Sequence, residues 1–104
     1  MLVVTGRIEV QVSRIEALRE AASSMVVATR AEEGCEKYQF AVDIDEPNVI
    51  HLFEQWASSD ALDAHFATAH FAVFADALVS AANGPAEFDR YEIASLAPLF
   101  GSAE

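Results

Sequence analysis

Three stretches of the chain alternate between apolar and polar side chains with a period of two, which is typical of β-strands. In residues 2–12 one face is apolar and the other is mostly polar. Gly6 leaves a gap on the apolar face, where a ligand or another backbone could approach. Residues 35–44 alternate in the same way, and residues 49–57 form a third strand that carries apolar side chains on both faces. A strand that is apolar on both faces is expected at the centre of a sheet or at an interface.

Two stretches show the three- and four-residue spacing of amphipathic helices. Ser13 and Glu16 match a capping box, so we predict a helix that starts there and ends near Gly34. A second helix is predicted to start at Ser58 or Ser59 and to end at residues 83–85, Asn-Gly-Pro. Residues 86–96 then form the last strand.

The predicted order of elements is β-α-β-β-α-β, which is the ferredoxin-like arrangement. It places the chain in the α+β class, as a single domain of residues 1–104. We expect a four-stranded antiparallel sheet with the helices on one face. The chain has no further element to cover the other face, so a second subunit is the simplest cover.

Composition and charge narrow the range of partners. The apolar fraction of 53% and the seven phenylalanines are high for so small a domain, which again favours a homodimer. The net charge of −11 argues against nucleic acid and anionic membranes as partners. The single cysteine, Cys35, excludes an intrachain disulfide. Since no apolar run is long enough for a membrane span and no signal peptide is visible, we expect a cytoplasmic protein.

The histidines His51, His65 and His70 raise the possibility of a metal site. On one continuous helix, His65 and His70 would point roughly 140° apart, and they do not match the i, i+4 pair of a zinc helix. We therefore predict no metal. The two side chains can face one cavity only if the helix breaks between them, and Thr68 could cap a second helix at that point.

General acid–base chemistry in an apolar pocket is the reaction type that remains. Cys35 is flanked by acidic residues, which do not favour a reactive thiolate, and no glycine-rich phosphate loop is present. A histidine can accept a proton from a phenol-like substrate, and Trp56 offers a wall for a flat ligand, although it also suits a core position. For Glu54, a structural ion pair with Arg7 or Arg90 is the favoured interpretation.

Two segments resemble a known family. They are EEGCEKY at residues 32–38 and FEQWASSDALDAHFATAHF at residues 53–71. In this combination they resemble the antibiotic biosynthesis monooxygenase domain, and most closely the small bacterial quinol monooxygenases. The resemblance extends over nearly the whole chain and is more specific for the family than for a substrate.

The resemblance implies a dimeric α/β barrel that oxidises a quinol or polycyclic phenol with O₂ and uses no prosthetic group. It implies catalytic roles for Trp56, His65 and His70. The expected substrate-binding residues are Tyr38, Phe40, Phe53, Glu54, Phe71 and Phe74. The haem-degrading branch of the family uses an asparagine on the first strand. The matching face here carries Val4, Gly6 and Ile8, which argues against that activity.

Two other functions remain open at this stage. One is an acid–base isomerase of a small carbonyl compound, which would use the same histidines without oxygen. The other is a dimeric ligand-binding or stress-related module without catalysis. Oxygen uptake with a quinol would separate the monooxygenase from the isomerase. Saturable binding of a ligand without turnover would favour the module.

Overall fold

The computed structural model describes residues 1–101, which form one antiparallel sheet and three α-helices. The strands lie in the order β2-β3-β1-β4. The elements are β1 (Leu2–Val10), α1 (Ile15–Arg30), β2 (Cys35–Val42), β3 (Val49–Trp56), α2 (Ser59–Phe66), α3 (Ala69–Ala81) and β4 (Ala82–Glu92). The predicted α+β, ferredoxin-like fold is therefore confirmed.

Strand β1 lies in the interior of the sheet and pairs with β3 on one side and β4 on the other. Its side chains alternate in burial as predicted, with Leu2, Ile8 and Val10 buried. The gap at Gly6 is not open, because the ring of Phe88 on β4 lies over it. A Cβ atom at residue 6 would lie 2.8 Å from that ring. The expected approach of a ligand or of another backbone at Gly6 is therefore wrong for this structure.

Helix α1 starts later than predicted. A short 3₁₀ helix, Val12–Arg14, comes first and the N-cap of α1 is Arg14, without a side-chain capping bond. The predicted capping box of Ser13 and Glu16 is therefore wrong, because the 3₁₀ turn already engages this segment. The predicted apolar stripe is present, with Leu18, Met25 and Thr29 buried.

The second helical segment consists of two helices, α2 and α3, instead of the single helix predicted, and the break lies at Thr68, which the sequence offered only as a possible cap. Ser58 caps α2 by accepting the Ala61 N–H, and Thr68 caps α3 by accepting the Phe71 N–H. The bend between the two helices is 68°. Within residues 1–101 no single helix is long and apolar enough to cross a membrane, although the bent pair α2 and α3 meets that test by length and composition when taken together.

Strand β4 begins earlier than predicted. Helix α3 ends at Ala81, and residues 83–85 lie inside the strand instead of ending the helix. Gly84 has a φ of 121°, and the pairing of β1 with β4 shifts register between Ile8 and Val10. An edge strand with a bulge accommodates both glycine and Pro85, because neither has to maintain a continuous ladder. The prediction of a strand at residues 86–96 was therefore displaced toward the C-terminus.

The core lies between the sheet and the helices. Its fully buried side chains include Trp56, Met25 and Leu62. The opposite face of the sheet carries Phe53 and His51 of β3 and Tyr91 of β4, and no element among residues 1–101 packs over this face. The predicted covering of this face by a second subunit stays a prediction.

Candidate functional site

His65 lies at the centre of a group of aromatic rings inside the core. Helix α2 positions it in the last turn, where it has no exposed surface. Its ring centroid lies 4.9 Å from that of Trp56, 5.4 Å from that of Tyr38 and 5.2 Å from that of Phe71. The strands β2 and β3 and the start of α3 therefore supply three walls around one imidazole.

Glu32 brings the two predicted catalytic histidines together. One oxygen of its carboxylate, Oε2, lies 2.8 Å from Nδ1 of His65 and 2.6 Å from Nε2 of His70. The break at Thr68 allows this, since it lets α3 turn His70 back toward the end of α1. The exposed fraction of the side chain increases along the group, from 1% for His65 to 14% for Glu32 and 29% for His70. The group therefore runs from the core to the surface.

The same three residues are the candidate ligands for a metal ion. Within residues 1–101 their potential ligand atoms lie within 4.8 Å of one another. However, the two contacts of Glu32 have the lengths of charge-assisted hydrogen bonds. Ligand atoms around a tetrahedral zinc ion, with bonds of roughly 2.1 Å, are roughly 3.4 Å apart. The arrangement is that of a hydrogen-bonded group, and a metal ion would have to displace both bonds.

Glu54 is buried beside this group and has a different partner from the one predicted. Its Oε1 accepts the Nε1–H of Trp56 at 2.8 Å. Arg7 pairs instead with Glu46 and Glu9, and Arg90 lies near Glu92. The predicted ion pair is therefore wrong, because Trp56 on the same strand face supplies the donor.

Burial makes this carboxyl group unusually basic. Desolvation raises the pKa of Glu54 to about 7, and the hydrogen bond from Trp56 opposes this only in part. Desolvation, together with the charge of Glu54, also raises the pKa of Tyr38. Burial and the nearby acidic residues raise the pKa of Cys35, as expected for an unreactive thiol. Glu54 can therefore exchange a proton near neutral pH.

A cavity of about 500 Å³ lies next to this group, between α1 and the sheet. Most of its wall is apolar, and two of the chain's six basic residues, Arg19 and Arg30, contribute to it. Arg30 also donates its Nε–H to the carbonyl oxygen of Tyr38 at 2.9 Å. Among the described residues, Trp56, His65 and His70 are not part of the cavity wall.

The cavity and the His65 group are separated by aromatic rings. Of the predicted substrate-binding residues, Phe40 and Phe74 line the cavity, with ring centroids 5.1 Å apart. The ring of Phe40 lies 5.7 Å from that of Tyr38, which in turn contacts His65. A row of neighbouring rings, Phe74, Phe40, Tyr38 and His65, therefore extends from the cavity wall to the imidazole, and Phe40 and Tyr38 stand between the two regions.

The remaining predicted residues fall in different places. Phe71 packs against His65, and Glu54 binds Trp56. Phe53 pairs with Thr5 and lies on the sheet face away from the helices, because side chains alternate along β3. It is therefore not part of the group around His65. The third histidine, His51, shares that outer face and lies 2.7 Å from Asp43, whose pKa is lowered to about 2 chiefly by this hydrogen bond.

Two residues of the site were missed in the sequence. Glu32 belongs to the segment that resembles the family, and this was the only signal that it had a role. Arg30 is the last residue of α1, and nothing about its position in the sequence indicated that it belongs to a site. Its contact with the Tyr38 carbonyl depends on how α1 packs against β2, which the sequence does not reveal.

Comparisons with known proteins agree with this architecture. The family model for antibiotic biosynthesis monooxygenase matches residues 1–77. The chain is 34% identical over 98 residues to "Uncharacterized protein sll1783" of Synechocystis sp., covering 94% of this chain and 67% of that protein. It is 34% identical over 74 residues to "Putative monooxygenase YcnE" of Bacillus subtilis, covering 71% and 78% of the two chains. A solved structure from Deinococcus radiodurans, described as a putative antibiotic biosynthesis monooxygenase, has a TM-score of 0.86 at 23% identity, covering 97% and 100%, which is a likeness in fold.

Proposed function

Because the chain belongs to the antibiotic biosynthesis monooxygenase family, we propose that it oxidises a quinol or polycyclic phenol with O₂ and without a prosthetic group. The observation that carries this proposal is the apolar cavity beside the buried His65 group. A flat aromatic substrate needs apolar walls, and its activation needs a proton acceptor close by. The relatives named as monooxygenases support the class of reaction, and the cavity supports the class of substrate.

The substrate ring would bind in the cavity against Phe40 and Phe74. The volume of about 500 Å³ lies within the range of small-molecule sites, roughly 300–1,000 Å³, and suits a ring system of two or three fused rings. Arg30 at the wall would stabilise the negative charge that appears when a phenol ionises. Ionisation matters because a quinolate transfers an electron to O₂ far more readily than a neutral quinol.

His65 is the proposed proton acceptor. Since Phe40 and Tyr38 lie between the cavity and His65, these two rings must move when a substrate hydroxyl reaches the imidazole. After proton transfer, the quinolate passes one electron to O₂, and the radical pair combines at a ring carbon. Loss of water then leaves one oxygen atom on the ring. The substrate supplies all four electrons that reduce O₂, so no external reductant is needed.

Trp56 and Glu54 complete the proposed site. Trp56 provides a rigid wall beside His65, and its N–H is held by Glu54. With a pKa of about 7, Glu54 can hold or release a second proton close to His65. His70 is proposed to act through Glu32 instead of touching the substrate.

Oxygen uptake with menadiol as the probe tests the proposal. The expected result is uptake above the rate of spontaneous oxidation in buffer, greatly reduced in His65→Ala. Glu33→Ala is the control, because that side chain is exposed and lies outside the sheet face proposed for the second copy. Saturable binding of menadiol without uptake would favour the ligand-binding module and would contradict the proposed reaction.

The proposed assembly is a homodimer in the cytoplasm. The sheet face that carries Phe53, His51 and Tyr91 is free of helices in the described chain and offers a surface for a second copy. Tyr91 is 47% exposed, which is high for a large aromatic side chain and is consistent with a partner. Sedimentation at micromolar concentration should report about twice the chain mass of 11.3 kDa.

A further inference from the structure

One nitrogen of His65 has no hydrogen-bond partner within the described part of the chain, residues 1–101. Nε2 is buried and, among residues 1–101, no hydrogen-bonding group reaches it. Burying a polar atom without a partner is unfavourable, and native structures seldom keep one without a reason. Bulk solvent does not reach this atom, since the His65 side chain is only 1% exposed. The rings of Trp56, Tyr38 and Phe71 surround the imidazole that carries it.

The other nitrogen of His65 identifies the tautomer. A carboxylate only accepts hydrogen bonds, so both imidazole nitrogens that contact Glu32 Oε2 must carry hydrogen. With Glu32 as a carboxylate, this geometry assigns the hydrogen to Nδ1 of His65 and to Nε2 of His70. When His65 is neutral, its buried Nε2 holds an unshared electron pair. The atom without a partner is thus a proton acceptor in apolar surroundings.

We propose that Glu32 is a positioning residue that holds His65 in the Nδ1–H tautomer and so directs the basic Nε2 toward the substrate hydroxyl. In the step that follows, the substrate O–H bond breaks, an Nε2–H bond forms, and the electron pair stays on the substrate oxygen. Glu32 then pairs with the imidazolium that results. For its chemistry this inference rests on the proposed function, but the tautomer can be measured without any substrate.

His70 has a separate part in this arrangement. It donates to the same oxygen of Glu32 from the solvent side, so the carboxylate is held between two imidazoles. This second bond fixes the orientation of the carboxylate and, through it, the ring of His65. His70 is therefore a support for Glu32, although the family resemblance implied a catalytic role.

The tautomers can be read by NMR of protein labelled with ¹⁵N at histidine. At a pH where the spectrum shows the rings to be neutral, we expect His65 to show a hydrogen on Nδ1 and a bare Nε2. We expect the opposite tautomer for His70 and for His51, whose Nε2 contacts Asp43. His65 would then differ from both other histidines, which serve as internal references. A His65 ring with its hydrogen on Nε2 would overturn the inference.

Glu32→Gln tests the positioning directly, with Glu33→Gln as the matched control. The two changes remove the same charge from adjacent positions, but Glu33 is exposed. In Glu32→Gln we expect His65 to lose its single tautomer and kcat with menadiol to fall by about 10²–10⁴-fold, with KM little changed. Glu33→Gln should leave both properties unchanged. An unchanged tautomer and unchanged kcat in a folded Glu32→Gln protein would contradict the inference.

The two proposals fail in different ways. If the wild-type protein has the expected tautomer but consumes no oxygen, the proposed function falls and the positioning by Glu32 stands. If oxygen is consumed and His65 has its hydrogen on Nε2, the function stands and the positioning falls. The wild-type spectrum decides the tautomer even if Glu32→Gln does not fold.

Discussion

The buried carboxyl group of Glu54 offers a quantitative test of how much an ionised group costs the stability of this core. Its pKa rises from 4.5 to about 7 because the folded protein desolvates the carboxylate. Between these two values the folded protein holds a proton that the unfolded chain has released. Stability must therefore decrease as the pH increases through this window. At about 1.4 kcal/mol for each pKa unit, the ionised group costs the folded state about 3 kcal/mol above pH 7.

The substitution Glu54→Gln removes this cost but introduces another. A glutamine oxygen can still accept the Trp56 N–H, whereas the new amide N–H groups need partners, and a buried donor without one costs ~1–3 kcal/mol at any pH. We therefore expect the variant to be less stable than wild type at pH 4.5. Between pH 4.5 and pH 8, the free energy of unfolding of the variant should increase by about 3 kcal/mol relative to that of wild type.

The assay is urea unfolding of both proteins at several pH values between 4.5 and 8, at one fixed protein concentration because a dimer's stability depends on it. Glu33→Gln is the control, since its exposed carboxylate should give a difference from wild type that barely changes with pH. The desolvation argument would be refuted if the difference in free energy of unfolding between Glu54→Gln and wild type were independent of pH. It would also be refuted if the variant became less stable relative to wild type as the pH increases.

Three further predictions follow from the site and the helix break. His65→Ala should fold and lose about 10²–10⁴-fold in oxygenation rate, with the remaining rate rising with pH as the substrate ionises by itself; wild-type turnover at neutral pH would make His65 structural. Thr68→Ala should lower the free energy of unfolding by about 1 kcal/mol through loss of the α3 cap, and an unchanged value would show that the break does not depend on it. Purified protein should be colourless and hold no stoichiometric metal, since Glu32 is bound to both histidines; one bound zinc ion per chain in elemental analysis would contradict this.

The fold could be predicted because its main signals are local. The alternation of β1 follows directly from a period of two, and Thr68 could be named as a possible cap because threonine is a common N-cap residue, although the sequence alone did not decide that the helix breaks there. The end of the second helix was misplaced because glycine and proline usually end helices. At residues 83–85 they lie instead in a bulged edge strand, and only the pairing with β1 decides this.

The site was only partly predictable because its contacts are not local. Glu32 and His65 are separated by 33 positions and meet only when the turn between α1 and β2 packs beside α2. The sequence suggested an arginine for Glu54, but it could not show that Trp56, two residues away, reaches that carboxylate. The cavity depends on the distance between α1 and the sheet, and no motif records that distance.

The most direct test of the proposed oxygenation is the fate of labelled oxygen. Menadiol is turned over under ¹⁸O₂, and the product is analysed by mass spectrometry beside a sample that contains His65→Ala. We predict that the wild-type product carries one ¹⁸O atom on its ring and that the second labelled atom appears in water. A product without label, or labelling that is equal with and without the folded wild-type protein, would contradict the proposed monooxygenase.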